Sequence, residues 1–399
     1  RRESTMMRIV AALAAAALVS QAAAAGTWTL NPTFTEQLAM VCSFADANTG
    51  VIAGDVSGAG PTVWTTSDGA KTFNTATHAS DALLMAAAAQ PGNTENFVVS
   101  GMTSGQFSTD GGKTFTSGAG AGHLGPLSSA EAVLGKDGAW GLTGQTTSGN
   151  GVLLSTNSGA NWTMHSAFPA GGDFAGRYGA FPSGDVMYLT GGSWPPRSDA
   201  AVAEGFVAVS ELLQVNPVTG ETRLSMEADA ALGIDDDDTP ARNTTYNSMV
   251  VKSTDGGVTW TPVQRSVGVN YPNGISCGDE THCVYAAEAA GGAHAGSALY
   301  TTADGGQTWN QTYSLPAPSS AFAVRFSSAT EVWASVADAN AKGERVGHFM
   351  HSTDAGATWA VHTSTPGMYA TSLSFPTAAN GFAMVAVYQK QAYQLMQYA

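Results

Sequence analysis

From residue 26 onward the chain reads as short apolar runs separated by small, polar and glycine-rich breaks. Leu38-Ala-Met-Val-Cys-Ser-Phe44 is followed by Gly50-Val-Ile-Ala-Gly54, and Phe322-Ala-Val-Arg-Phe326 by Val332-Trp-Ala-Ser-Val336. Runs of that length, rich in β-branched and aromatic residues and bounded by turn formers, predict β-strands. One stretch differs. Ile9 to Val19 is unbroken and apolar, follows Met6-Met7-Arg8, and ends in small residues with an A-x-A pattern before Gly26. That order describes a secretory signal peptide over residues 1–25, too short for a membrane span. Arg1-Arg2 leaves a truncated twin-arginine signal open as the alternative.

The strand pattern repeats. Six segments share S/T-x-D-x-G-x-x-(W/F), centred on Asp68, Asp110, Asn157, Asp255, Asp304 and Asp354. The spacings between these centres are 42, 47, 98, 49 and 50 residues. A period of about 40–50 residues marks one supersecondary unit used repeatedly, most often a propeller blade. The turn chemistry agrees: Asp or Asn bonds the turn's backbone N–H groups, Gly permits positive φ, and the aromatic returns to pack between units. Two apolar runs precede each box, so each unit reads as strands a, b and c, then the box, then strand d.

The expected fold is all-β, a seven-bladed β-propeller with Asp-box repeats. Six units end in boxes. The tail (Thr371 to Phe375, Gly381 to Val387 and Ala392 to Tyr398) supplies three strands of a seventh. Gly26-Thr27-Trp28-Thr29-Leu30 resembles the end of a box, so an N-terminal strand is expected to close the last blade and remove a sheet edge. The 98-residue gap is read as an insertion at 196–247 between strands b and c of blade four, holding a hairpin around Pro217-Val-Thr-Gly-Glu221. An eighth blade is the competing reading. Residues 26–399 thus form one domain.

On these boxes the chain resembles the BNR or Asp-box β-propellers of sialidase-like fold. Within them it is similar to the photosystem II stability/assembly factor-like single propellers. The resemblance implies that the boxes lie on the outer rim and mark the fold.

Charge narrows the function. Lys+Arg number 16 against Asp+Glu 31, a net charge of −15, which argues against a nucleic-acid or anionic-membrane partner. Ten of the acids sit in the 196–247 insertion. Its run Asp235-Asp236-Asp237-Asp238 offers hard oxygen ligands for Ca²⁺ but lacks EF-hand spacing, so a solvated turn is the alternative. No other cofactor is expected.

In a propeller the b–c and d–a loops share the face around the channel mouth. His78, His123, His165, Asp173, Arg265, Tyr271, His294, Tyr313, Arg345 and Tyr369 are expected on it. His348 and His351 are three apart on one strand and should point to opposite faces. The seven arginines beyond residue 25 start only at Arg177, after three boxes, and no R-I-P motif occurs. The arginine triad of sialidases is therefore not legible, although Arg177, Arg325 and Arg345 are conceivable members.

Cys277 and Cys283 flank a short a–b connection and are expected to form a disulfide, which suits an exporting, oxidising route; Cys42 is left over as a buried thiol. Sequons stand at Asn161, Asn243 and Asn310. The expected function is that of a secreted, monomeric, non-catalytic module binding protein or glycan through the face carrying the insertion. The alternatives are an assembly-factor-like protein of the thylakoid lumen and a sialidase-like glycoside hydrolase.

Overall fold

The computed structural model describes residues 26–56, 60–77, 84–101, 104–122, 129–146, 149–168, 175–193, 213–215, 222–224, 247–289, 294–340, 342–388 and 392–399. The expected signal peptide, most of the 196–247 insertion, Asn243, His78, His123, Asp173 and Asp235 to Asp238 lie outside these residues.

Strand β1 (Trp28–Glu36) opens the described chain. Blade 1 holds β2 (Leu38–Phe44), β3 (Gly50–Val56), β4 (Gly60–Thr66) and β5 (Asn74–Thr77). Blade 2 holds β6 (Leu84–Gln90), β7 (Asn93–Gly101), β8 (Ser104–Ser108) and β9 (Thr116–Gly122). Blade 3 holds β10 (Ser129–Ala132), β11 (Trp140–Thr146), β12 (Gly149–Ser155) and β13 (Thr163–Ser166). Blade 4 starts with β14 (Ala175–Ala180) and β15 (Met187–Ser193). A separate hairpin, β16 (Leu213–Val215) and β17 (Thr222–Leu224), comes next, before β18 (Asn247–Ser253) and β19 (Thr261–Val267) complete the blade. Blade 5 holds β20 (Tyr271–Cys277), β21 (Cys283–Ala289), β22 (Gly296–Thr302) and β23 (Asn310–Pro316). Blade 6 holds β24 (Ser320–Phe326), β25 (Val332–Ala339), β26 (Arg345–Ser352) and β27 (Ala360–Pro366). Blade 7 holds β28 (Met368–Thr377), β29 (Asn380–Val387) and β30 (Ala392–Tyr398).

Seven four-stranded antiparallel sheets result, and the chain is a seven-bladed β-propeller. β1 is the outer strand of blade 7, pairing Trp28 with Tyr398 and Leu30 with Met396. This closure joins the two ends of the described chain. Asn31 Nδ2 and Thr33 Oγ1 donate to the Ala70 carbonyl at 2.8 and 3.0 Å, which ties the closing strand to blade 1 as well. The gap between the third and fourth boxes therefore holds no extra blade among the described residues, only the β16–β17 hairpin between strands b and c.

The hydrophobic core is distributed rather than central. Seven buried clusters each lie between two neighbouring blades, for example Val284, Leu299, Val332 and Met350 between blades 5 and 6. The last pair is closed by Ile52 and Trp64 of blade 1 against Phe382, Met384 and Leu395 of blade 7. Innermost strands have unpaired N–H groups on their free edge, and serines of neighbouring blades satisfy several. Ser374 Oγ accepts from Phe44 N–H at 2.9 Å, Ser43 from Ala89 at 2.9 Å and Ser276 from Phe326 at 3.0 Å.

The repeated turns show why their residues recur. In blade 4, Ser253 Oγ donates to Asp255 Oδ1 at 2.8 Å and accepts the Gly257 N–H at 2.8 Å. Asp255 Oδ1 also accepts the Thr259 N–H at 2.9 Å, and Oδ2 accepts the Thr259 hydroxyl at 2.6 Å. These bonds hold the Asp255 carboxyl down at about 2. The two residues after the acid both take positive φ, as at Gly256 (72°) and Gly257 (88°). In the third turn Asn157 keeps the Oδ1 bonds, accepting from Ser155 Oγ at 3.1 Å and Asn161 N–H at 2.9 Å. With Asn161 in the place of Thr, the second hydroxyl bond is gone, yet the turn persists.

Cys277 and Cys283 form the expected disulfide across the β20–β21 hairpin, and Cys42 is a buried free thiol. Among the described residues no helix is long and apolar enough to cross a membrane.

Candidate functional site at the channel mouth

The innermost strands carry the feature that builds the mouth. In six blades the pairing of strands a and b skips one residue near the start of strand a. The skipped residues are Met40, Met85, Arg177, Asn273, Phe322 and Thr371. Such a bulge leaves its residue outside the ladder and re-aims its side chain. Four of the six reach the next blade around the ring. Arg177 lies 4.9 Å from the Tyr271 ring centroid, and Asn273 Nδ2 donates to the Ala321 carbonyl at 3.0 Å. Phe322 packs 4.4 Å from the Tyr369 ring, and Thr371 Oγ1 donates to the Met40 carbonyl at 2.8 Å.

Two clusters follow. The first spans blades 4 to 6. Arg177, 6% exposed, sits between the rings of Tyr178 and Tyr271, and its Nε is buried without a partner. Glu288, near the mouth end of β21, is hydrogen-bonded to Asn273 and Ser320, and burial pushes its carboxyl up despite the Arg177 charge. The second joins blades 6 and 7. Arg345, the first residue of β26 and 8% exposed, lies 5.8 Å from the Tyr388 ring. The Tyr388 ring packs tilted against Tyr369 at 4.8 Å, and Tyr369 packs tilted against Phe322. Nε and Nη2 of Arg345 are buried without a hydrogen-bond partner, and burial lowers its pKa.

An ion pair crosses the channel. Arg325 Nη1, on β24 of blade 6, meets both carboxylate oxygens of Glu131, on β10 of blade 3, at 2.7 and 2.6 Å. The Glu131 charge raises the Arg325 pKa. Arg177, Arg325 and Arg345 thus stand on three strands of two non-adjacent blades with three different sets of partners.

The expected mouth residues fall as follows. Tyr271 and Tyr369 are buried ring walls of the two clusters, and Arg345 is the cation of the second. His294 is exposed in the b–c connection of blade 5. Tyr313 lies on outer strand β23, half-buried against the blade 5–6 core, where burial raises its pKa. Arg265 is exposed on outer strand β19. His165, on outer strand β13, lines an open rim cleft with Asn157, Asn161, Thr163 and Gly256. His348 bonds Asp338 Oδ1 through Nε2 at 3.1 Å, while His351 packs on Trp333 on the opposite face of the strand. Sequence reasoning passed over Glu288, Asn273, Phe322 and Tyr388. The bulge offset, which no local pattern marks, places Asn273 in the first cluster and Phe322 in the second. Among the described residues no group of three or more His, Cys, Asp or Glu is placed to hold a metal ion.

Fold and mouth together define a seven-bladed propeller with an arginine- and aromatic-lined face. No protein-family model and no curated protein matches the chain. Among solved structures, YCF48 bound to a D1 peptide aligns over 94% of this chain and 96% of its own, with a TM-score of 0.54 and 15% identity. The GH74 xyloglucanase of Xanthomonas campestris aligns over 91% of this chain and 52% of its own, with a TM-score of 0.53 and 16% identity. A GH74 enzyme of Niastella koreensis aligns over 91% and 53%, with a TM-score of 0.52 and 15% identity. This chain thus spans about half the length of those two enzymes. At these identities the likeness is one of fold.

Proposed function

We propose that the chain is a non-catalytic binding module of the Asp-box propeller kind that holds a peptide segment of a partner protein on its mouth face. The observation that carries this reading is the nest of Arg345, Phe322, Tyr369 and Tyr388, with a buried guanidinium edge beside a chain of packed rings. Aromatic rings and arginine are the residue types that anchor protein interfaces. The whole-length likeness to YCF48, whose structure holds a D1 peptide, supports a protein ligand. The mouth carboxylates also suit a binder: Glu131 is engaged by Arg325, Glu288 by Asn273 and Ser320, and Asp338 by His348. Glycoside hydrolysis asks instead for two carboxylates facing one bond.

The reading is tested by selecting binders from a random heptapeptide phage library on immobilised protein. Tyr369→Ala and Phe322→Ala should each weaken the selected peptides at least about tenfold. A variant lacking residues 196–247 should recover fewer of them, since on this reading the segment joining β15 to β18 belongs to the binding face. Unchanged affinities in both ring variants would refute the reading. An exported setting is part of the proposal, supported by the apolar 9–19 stretch and the Cys277–Cys283 disulfide. N-terminal sequencing of secreted protein should start at Gly26, and protein retained in the cell would count against it.

A further inference from the structure

The buried or bridging arginines of the mouth differ in what their guanidinium leaves unmade. Among the described residues Arg325 pairs with Glu131 across the channel, while Arg177 and Arg345 lie in the field of Glu288 and Asp338 respectively. Arg177 has Nε alone buried without a partner, whereas Arg345 has two such nitrogens. The nearby Asp338 gives Oδ1 to His348 Nε2, and Glu344 accepts from Asn340 Nδ2 at 2.8 Å. The unpartnered atoms of Arg345 are Nε and Nη2. In a guanidinium these two nitrogens form one edge with parallel N–H bonds, the geometry that meets both oxygens of a carboxylate. Leaving such donors buried and unmade is costly, so a ligand that completes them gains more than a surface contact would.

Resting on the peptide-binding reading above, we propose that this nest recognises a carboxylate flanked by an apolar side chain. The carboxylate lies on the Nε–Nη2 edge of Arg345, and the side chain packs on Phe322, Tyr369 and Tyr388. Both nitrogens are covered in the free chain, so binding includes movement of a side chain beside them. One guanidinium balances one negative charge, and a chain of net charge −15 disfavours a phosphate dianion. The carboxylate belongs either to a chain terminus or to an Asp or Glu side chain.

The test titrates full-length protein labelled with ¹⁵N-arginine, watching the Nε–Hε resonances. The probes are N-acetyl-leucine, N-acetyl-glutamyl-leucinamide, N-acetyl-leucinamide and inorganic phosphate. One resonance, absent in Arg345→Met, should shift with N-acetyl-leucine if a terminus is read, or with the glutamyl probe if a side chain is read. The amide and phosphate should leave it in place. Arg345→Lys keeps the charge but lacks the edge, and should lose affinity at least about tenfold while remaining folded. Equal response to the amide or to phosphate, or full affinity in Arg345→Lys, overturns the proposal. If selected heptapeptides bind regardless of their carboxylates, this proposal falls while the peptide-binding reading stands. If carboxylate probes shift Arg345 but no heptapeptide is selected, the peptide-binding reading falls instead.

Discussion

Replacing either partner of the Arg325–Glu131 pair should expose how the ring is braced. The two residues stand on non-adjacent blades 3 and 6, which this contact links across the channel. Their side chains are 26% and 23% exposed, between a dry core and an open surface. Exposed pairs contribute about 0.2–1 kcal/mol, and breaking a fully buried pair costs about 3–5 kcal/mol. The intermediate setting, with one nitrogen serving both oxygens, places the coupling at about 1–3 kcal/mol. Arg325→Met and Glu131→Gln should each lower the urea midpoint without changing the slope, and the double variant should cost less than their sum. Raising NaCl from 0.05 to 0.5 M should erode the coupling only partly, because a half-enclosed pair is incompletely screened. A coupling below about 0.3 kcal/mol, or one abolished by salt, would show a water-filled channel whose walls do not brace each other.

Three further outcomes can be measured directly. Gly118 packs under Trp162 so closely that a Cβ would collide with Nε1 of that ring and with the Gly159 carbonyl, so Gly118→Ala should cost about 1–3 kcal/mol; Gly274→Ala, whose Cβ finds ordinary contacts from 3.5 Å, should be near neutral, and equal melting temperatures for both would contradict this packing. His351 is buried against Trp333, and burial followed by the neighbouring His362 lowers its pKa from 6.5 to about 4. The unfolded chain takes up this proton first, so the histidine's stabilising share is lost as pH falls from about 6.5 towards 4; His351→Phe should flatten that part of the stability curve, and an unchanged slope would mean the ring titrates normally. Removing the disulfide as Cys277→Ser/Cys283→Ser should cost about 2 kcal/mol from the loop entropy of so short a closure, with dithiothreitol having no further effect on the variant's urea midpoint.

The fold was legible because its determinants are local. Each box packs an acid, a hydroxyl and two residues able to take positive φ into a few positions, and the bonds of Ser253, Asp255 and Thr259 show why that spelling recurs. The closing strand was legible for the same reason, since Trp28 copies the aromatic that ends a box and stacks on Phe349 at 4.3 Å. Opposite faces for His348 and His351 followed from strand alternation alone. The mouth was only partly legible. Tyr271, Arg345 and Tyr369 were placed on it by counting along strands, but which side chains meet there depends on blade-to-blade offsets. The Arg325–Glu131 contact joins residues 194 apart in the chain, and nothing near either one announces the other.

The bulges of the innermost strands have a consequence for how such a face can be altered. Met40, Met85, Arg177, Asn273, Phe322 and Thr371 stand outside the strand ladder, one to a blade. Exchanging their side chains therefore leaves the pairing within each blade alone. Arg177, Asn273, Phe322 and Thr371 also touch the next blade, so a change at any of them alters the mouth and one blade-to-blade contact together. At these four positions recognition and the bracing of the ring are written in the same side chain.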